Sequence, residues 1–168
     1  RAAADELGVS RILFLDYEHG YLVPDLAARR AVARVIRLFR PTIVLSSDPT
    51  QLFGENNINH PDHRAAGQIV VDAVFPASGN PLYFPELISE EHLDPHSVNE
   101  VWLAVTGQPN TTIDVTPTWE KKIQALHHHE TQIGDMAALD ERMRSRRTPD
   151  SSAEAPRYEE KFRRIKFR

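Results

Sequence analysis

The sequence predicts an α/β fold with a mainly parallel, doubly wound sheet. Two observations lead there. The runs RILFL (11–15) and TIVLSS (42–47) are short and apolar, as strands buried on both faces of a parallel sheet are. They alternate with segments whose apolar residues recur at helical spacing, so the first 74 residues read helix, strand, helix, strand, helix. The bulk composition sets the frame. The 168 residues, 40% hydrophobic and 26% charged, suffice for a single folded domain (1–168) and are too apolar for a disordered chain. A net charge of −4 argues against nucleic acid as a partner. No apolar run approaches the roughly 18 residues of a membrane span, and the expected compartment is the cytoplasm. With no cysteine, any metal must be held by His, Asp or Glu.

The elements follow in order. RAAADELG reads as the last turns of a helix closed by Gly8, so the chain is expected to start inside an element. After the strand at 11–15, DYEHGYL is a polar loop broken by Gly20. Pro24 and Asp25 open a helix that reaches Arg40, with Ala28, Val32, Val35, Ile36 and Phe39 as its apolar stripe. Arg29, Arg30, Arg34, Arg37 and Arg40 lie mostly outside that stripe and read as a solvated face. Pro41 stops the helix, and 42–47 is the second buried strand. A polar loop leads to a helix from Pro61 to Val74, with Ala66, Ile69, Val70 and Ala73 on one face.

Residues 75–98 carry four prolines and no clean period, which reads as a long surface excursion with one short helix near 86–92. Strands are expected at 100–105 and 111–115. Thr116 and Pro117 suit the N-cap and first position of a helix that runs past HHHETQ. The polar stretch 142–156 reads as a mobile loop. Tyr158, Phe162 and Ile165 then anchor a last element, whose basic end reads as solvated.

In open α/β sheets, ligands bind beyond the carboxyl ends of the strands. Two polar loops leave predicted strands there, and the second ends in NINHPDHRAAG. Pro61 and Asp62 are ordinary helix-start residues, but His60 and His63 are not explained by that role. Spaced three apart, they can converge on one point, and neutral imidazole is a common zinc ligand. An adjacent carboxylate can fix the tautomer of one ring. Of His127, His128 and His129, the second points away from the apolar face set by Trp119, Ile123, Leu126 and Ile133. His127 and His129 flank that face, and periodicity does not choose between them. His92 and His96 receive no role.

The nine residues NHPDHRAAG resemble the second signature of the PIG-L/LmbE-like zinc-dependent N-deacetylases. The segments LGVSRILFLDY, IRLFRP, VVDAVFP, EVWLA, WEKKIQALHHHETQ and YEEKFRRI are similar to family segments in family order. The resemblance implies a Rossmann-like αβα sandwich and one zinc ion held by two histidines and an aspartate. It implies His63 as a zinc ligand, His60 as the group that stabilises the oxyanion, and Asp62 as the partner of His60. The family's late H-x-S-Q pattern falls on HETQ, which selects His129 for the catalytic set, with Thr131 in place of the serine. Asn59, beside His60, and His19, where the family often has an aspartate before a glycine, are the substrate-binding candidates.

The family's A-H-P-D-D signature, which supplies two zinc ligands and the general base, does not occur in these residues. The expectation is therefore a domain lacking its first β–α unit, with weak zinc binding and no activity on its own. The implied substrate is an N-acetylated amino sugar or a conjugate of one. A catalytically silent sugar-binding module, or a subunit completed by a partner chain, are the alternatives.

Overall fold

A computed structural model describes residues 1–54 and 56–167. The helices are α1 (Ala2–Leu7), α2 (Leu26–Phe39), α3 (Pro61–Asp72), α4 (Glu86–Ser89), α5 (Trp119–His127), α6 (Glu130–Ile133) and α7 (Met136–Arg144). The strands are β1 (Ile43–Ser47), β2 (Glu100–Ala104), β3 (Thr111–Asp114) and β4 (Glu159–Lys166). The chain divides into two compact units: Leu15–Thr111 with the chain from Lys161 onward, and Arg1–Phe14 with Thr112–Glu160. Among the described residues no helix is long and apolar enough to cross a membrane.

In the larger unit β1 runs parallel to β2, with Val44 opposite Val101 and Leu45 opposite Trp102. β2 runs antiparallel to β4, with Val101 opposite Ile165. The sheet is thus mixed, although the class is α/β as expected. The polarity of β4 depends on how the chain returns from α7, which no local pattern encodes. α2 starts where expected, because the Asp25 carboxylate caps it by accepting from the Ala28 N–H (2.8 Å). Ala33 and Ile36 of α2 join Ala73, Val74, Ala77 and Val98 in a buried cluster, with Val44 packed on it. α3 is followed directly by a kinked segment, Ala73–Ala77, in which Phe75 leaves helical geometry (φ −140, ψ 123), and α4 forms within the expected 86–92 segment. Phe162 on β4 meets the Trp102 ring edge-on at 5.6 Å.

Several expectations are corrected. The run 11–15 forms no ladder, and Leu13, Phe14 and Leu15 are exposed. A ladder needs a neighbouring strand, and among the described residues no strand pairs with this run. β1 is a strand, yet it is not buried on both faces: Leu45 is 64% exposed. Phe39, at the end of the α2 stripe, is exposed as well.

Arg37 is 2% exposed, which contradicts its place on a solvated face. The 77–84 turn folds back over α2, and the guanidinium donates to the carbonyls of Ala77 (3.0 Å), Ser78 (3.1 Å), Asn80 (3.0 Å), Tyr83 (2.8 Å) and Phe84 (3.4 Å). Burial lowers its pKa from the ordinary value, against which Glu86 acts. Arg29 pairs with Asp72, and Arg30 with Glu86 and Glu91.

In the smaller unit Trp119 stacks on Tyr158 (4.2 Å between centroids) within a cluster with Ile123, Leu139 and Met143. The expected single helix through HHHETQ breaks after His127. His129 leaves helical geometry (φ −104, ψ 42) and occupies the N-cap position of the short α6 without a side-chain capping bond. The Asp135 carboxylate then starts α7 by accepting from the Ala138 N–H (3.0 Å). α7 takes the first residues of the stretch expected to be a loop.

Candidate active site

The loops that follow β1 and β2 leave the same edge of the sheet, because the two strands are parallel and both end there. Between these loops and the start of α3 lies a cleft of about 500 Å³, lined by Gln51, Asn59, His60, His63, Val105 and Thr106 among others. The sequence places α3 there by two devices. Pro61 supplies the first helical residue, and His60 is the N-cap. Gly67 lets the helix pass close to the end of β1: a Cβ at this position would lie 2.6 Å from the Ser47 carbonyl oxygen.

Each expected site residue has a defined surrounding. His60 Nδ1 accepts a hydrogen bond from the Asp62 backbone N–H (3.1 Å). A neutral ring in this position therefore carries its proton on Nε2 and presents a donor there. The Asp62 carboxylate lies 4.0 Å from His60 Nδ1. Its nearest hydrogen-bond partners belong to the 16–22 loop: Oδ2 accepts from Gly20 N–H (2.6 Å) and Oδ1 from Leu22 N–H (3.4 Å). The Gly20 bond, followed by the Leu22 bond and the nearby His60 and His19, holds the Asp62 pKa below the ordinary carboxylate value. Gly20 has φ +88, a turn geometry that costs a glycine little.

With the loop pinned in this way, the His19 ring stacks on His60 (5.1 Å, 27°), and His60 lies 5.3 Å from His63. Three imidazoles and one carboxylate thus lie close together, and of these His60 and His63 line the cleft. Ligand atoms of His19, His60 and Asp62 lie within 4.8 Å of one another. His63 stands beside this group rather than in it. Asn59 is held in the cleft wall, with Nδ2 donating to the Gln51 carbonyl (2.9 Å).

His129 belongs to the smaller unit, as the N-cap of α6. Its neighbours have acidic partners in that unit: His127 Nε2 lies 2.7 Å from Asp140, and His128 lies 4.0 Å from Glu6. His96 bonds the Pro41 carbonyl (2.8 Å), in keeping with a structural position.

Sequence reading missed Asp48 and Thr106. Asp48 is 1% exposed and joins the loops after β1 and β2. The triplet Asp48-Pro49-Thr50 carried a signal, since Asp before Pro favours a turn closed by its own side chain. Nothing local pointed to Thr106.

Fold and site together define an α/β protein with a histidine-lined cleft at the carboxyl edge of its sheet. The profile of the PIG-L family, described as GlcNAc-PI de-N-acetylase, matches residues 1–74, a stretch that includes NHPDHRAAG. The diacetylchitobiose deacetylase of Thermococcus kodakarensis is 36% identical over 133 residues, covering 79% of this chain and 48% of that protein. The chain thus spans about half the length of the curated relative it matches.

Among solved structures, the N,N′-diacetylchitobiose deacetylase of Pyrococcus horikoshii superposes with a TM-score of 0.83 at 26% identity, over 98% of this chain and 61% of that one. A conserved protein of Thermus thermophilus (TM-score 0.72, 19% identity, 96% of this chain and 68% of that one) shares the fold. So does the 4-carboxy-2-hydroxymuconate hydratase of Pseudomonas putida (TM-score 0.64, 21% identity, 99% of this chain and 69% of that one). The last comparison shows that the fold alone does not fix the chemistry.

Proposed function

We propose that the protein to which these residues belong is a zinc-dependent hydrolase that removes an acetyl group from an N-acetylated amino sugar. We take a disaccharide such as N,N′-diacetylchitobiose as its model substrate. The observation that carries the reading is the pair His60 and His63 lining the cleft, with His19 stacked on His60. The 36% identity to a diacetylchitobiose deacetylase supports the choice of sugar.

The donors fit a zinc-type ion. They are imidazole nitrogen and carboxylate oxygen without thiolate, and His63 stands beside the His19, His60 and Asp62 group, whose ligand atoms lie within 4.8 Å of one another. By the family resemblance His63 is the ligand these residues contribute. A bound zinc ion lowers the pKa of water toward ~7 and polarises a carbonyl.

The chain's own residues do the rest. The cleft orients the acetamide. His60 donates from Nε2 to the oxygen on which negative charge develops, its tautomer held by the Asp62 N–H. The Asp62 carboxylate fixes the 16–22 loop, and with it His19, against that ring. Asn59 contributes a polar wall for sugar hydroxyls. His129 is assigned to the catalytic set on its HETQ context alone.

The test is acetate release from N,N′-diacetylchitobiose by the whole protein loaded with zinc. His63→Ala is expected to lose metal and activity together. His60→Ala is expected to keep the metal and lose roughly 100- to 1000-fold in turnover. Sugar binding without acetate release would replace the hydrolase reading with a binding module. Because A-H-P-D-D does not occur within these 168 residues, acetate release is expected of the whole protein and not of this stretch alone.

A further inference from the structure

One lip of the cleft is built from residues that the histidine chemistry does not use. Val105 follows β2 directly and has φ +52. For a β-branched residue this left-handed backbone is a genuine outlier, and it persists only where the surroundings impose it. Here they do. On one side the Asp48 N–H donates to the Ala104 carbonyl (2.9 Å). On the other, Thr106 Oγ1 donates to Asp48 Oδ2 (2.6 Å). The remaining oxygen of this buried carboxylate accepts from Thr50 N–H (2.9 Å) and Thr50 Oγ1 (2.6 Å). One buried aspartate therefore ties the loop after β1 to the loop after β2, and its N–H and its carboxylate together bracket the strained residue.

The side chain displayed in this way is 65% exposed in a cleft whose walls include Gln51, Asn59 and Thr106. Burial does not repay the strain, because the isopropyl group is mostly uncovered. A glycine would adopt the same backbone at lower cost. What the valine adds is an apolar contact for a molecule entering the cleft. A pyranose ring offers such a contact through its C–H face while its hydroxyls bond to the polar walls.

We propose that Val105 is a specificity-determining contact for the sugar ring attached to the amino sugar that reacts, and that Asp48 is the positioning residue that holds it there. The inference rests on the amino-sugar reading above and adds a second ring's subsite to it. Asp48 acts through Thr106, so the Thr106 hydroxyl must be present for the preference to appear.

The experiment is a titration of the 168-residue chain with N-acetylglucosamine and with N,N′-diacetylchitobiose, followed by NMR. The wild-type chain is expected to favour the disaccharide. In Val105→Gly the ratio of the two affinities should fall about tenfold, the scale on which a small apolar contact discriminates. Its Tm should hold or rise, because glycine relieves the backbone. Should that variant prove less stable, Val105→Asn tolerates the left-handed region and is expected to show the same loss of preference.

Thr106→Ser, which keeps the hydroxyl, should retain the preference, and Thr106→Val should lose it. A ratio within twofold of wild type in Val105→Gly overturns the proposal, as does a wild-type chain that binds both sugars equally. A chain that binds neither sugar overturns the amino-sugar reading itself and takes the subsite with it.

Discussion

Arg37 shows what a single buried cation does to the chain around it. Its five carbonyl acceptors come from one turn, and among the described residues no carboxylate forms an ion pair with it. Hydrogen bonds to a charged group contribute about 1.5–3 kcal/mol each when one partner is lost, and the five are not additive. Arg37→Met keeps most of the stem and leaves the oxygens without their donor. The expected loss is about 3 kcal/mol or more in urea denaturation. A loss below about 1 kcal/mol would mean that water replaces the guanidinium, and that the turn does not depend on it. Arg37→Lys should lie between the two, since an ammonium cannot fork toward five acceptors. Asp48 is the corresponding buried anion, satisfied by hydroxyl and N–H donors, and its pKa lies below the ordinary value despite burial.

The antiparallel pair of β2 and β4 is held at the level of elements by one carboxylate. Glu100 accepts two bonds from the Arg164 guanidinium (2.7 and 2.6 Å) and one from Trp102 Nε1 (2.8 Å). Arg164, then Trp102, lower its pKa from 4.5 to about 2. A carboxylate whose folded pKa is depressed stabilises the fold fully above its unfolded pKa. That contribution disappears as pH falls through the folded value. The decline attributable to Glu100 therefore falls between about pH 4.5 and 2, and Glu100→Gln should flatten the stability profile across that window. Urea midpoints at a series of pH values measure it, and an unchanged slope would show that the pair is screened out.

Which elements were legible follows from the same physics. α2 and α3 carry their own start signals, Asp25 and Pro61, and a helical stripe, so sequence alone located them. The His60–Asp62–His63 group was legible because its spacing sits on a helix start. Arg37 was not, because its burial is made by a turn some forty residues away. The strand expected at 11–15 failed for a related reason: its residues suit a strand, but pairing is a property of neighbours. The break after His127 and the bond from Thr106 to Asp48 likewise depend on partners that no local window contains.

At the scale of the whole molecule, the two units bury separate clusters, one around Ile36 and Val74 and the other around Trp119 and Tyr158. Large apolar side chains remain on the surface, among them Phe14, Leu45 and Leu82. Such groups favour self-association more than they aid folding. Leu45→Thr introduces a β-branched residue that suits an exposed strand position. It is expected to change stability by no more than about 0.5 kcal/mol and to reduce light scattering at high protein concentration. A large loss of stability would show that Leu45 is covered in solution.

The turn that converges on Arg37 also bears on how this sequence can drift. Surface excursions are ordinarily where descendants of a protein gain and lose residues most freely. Here any change of length within 77–84 must still deliver five backbone oxygens to one guanidinium. That segment should therefore keep its length while the outer surface of the same excursion varies, and an insertion inside it should be tolerated only together with replacement of Arg37.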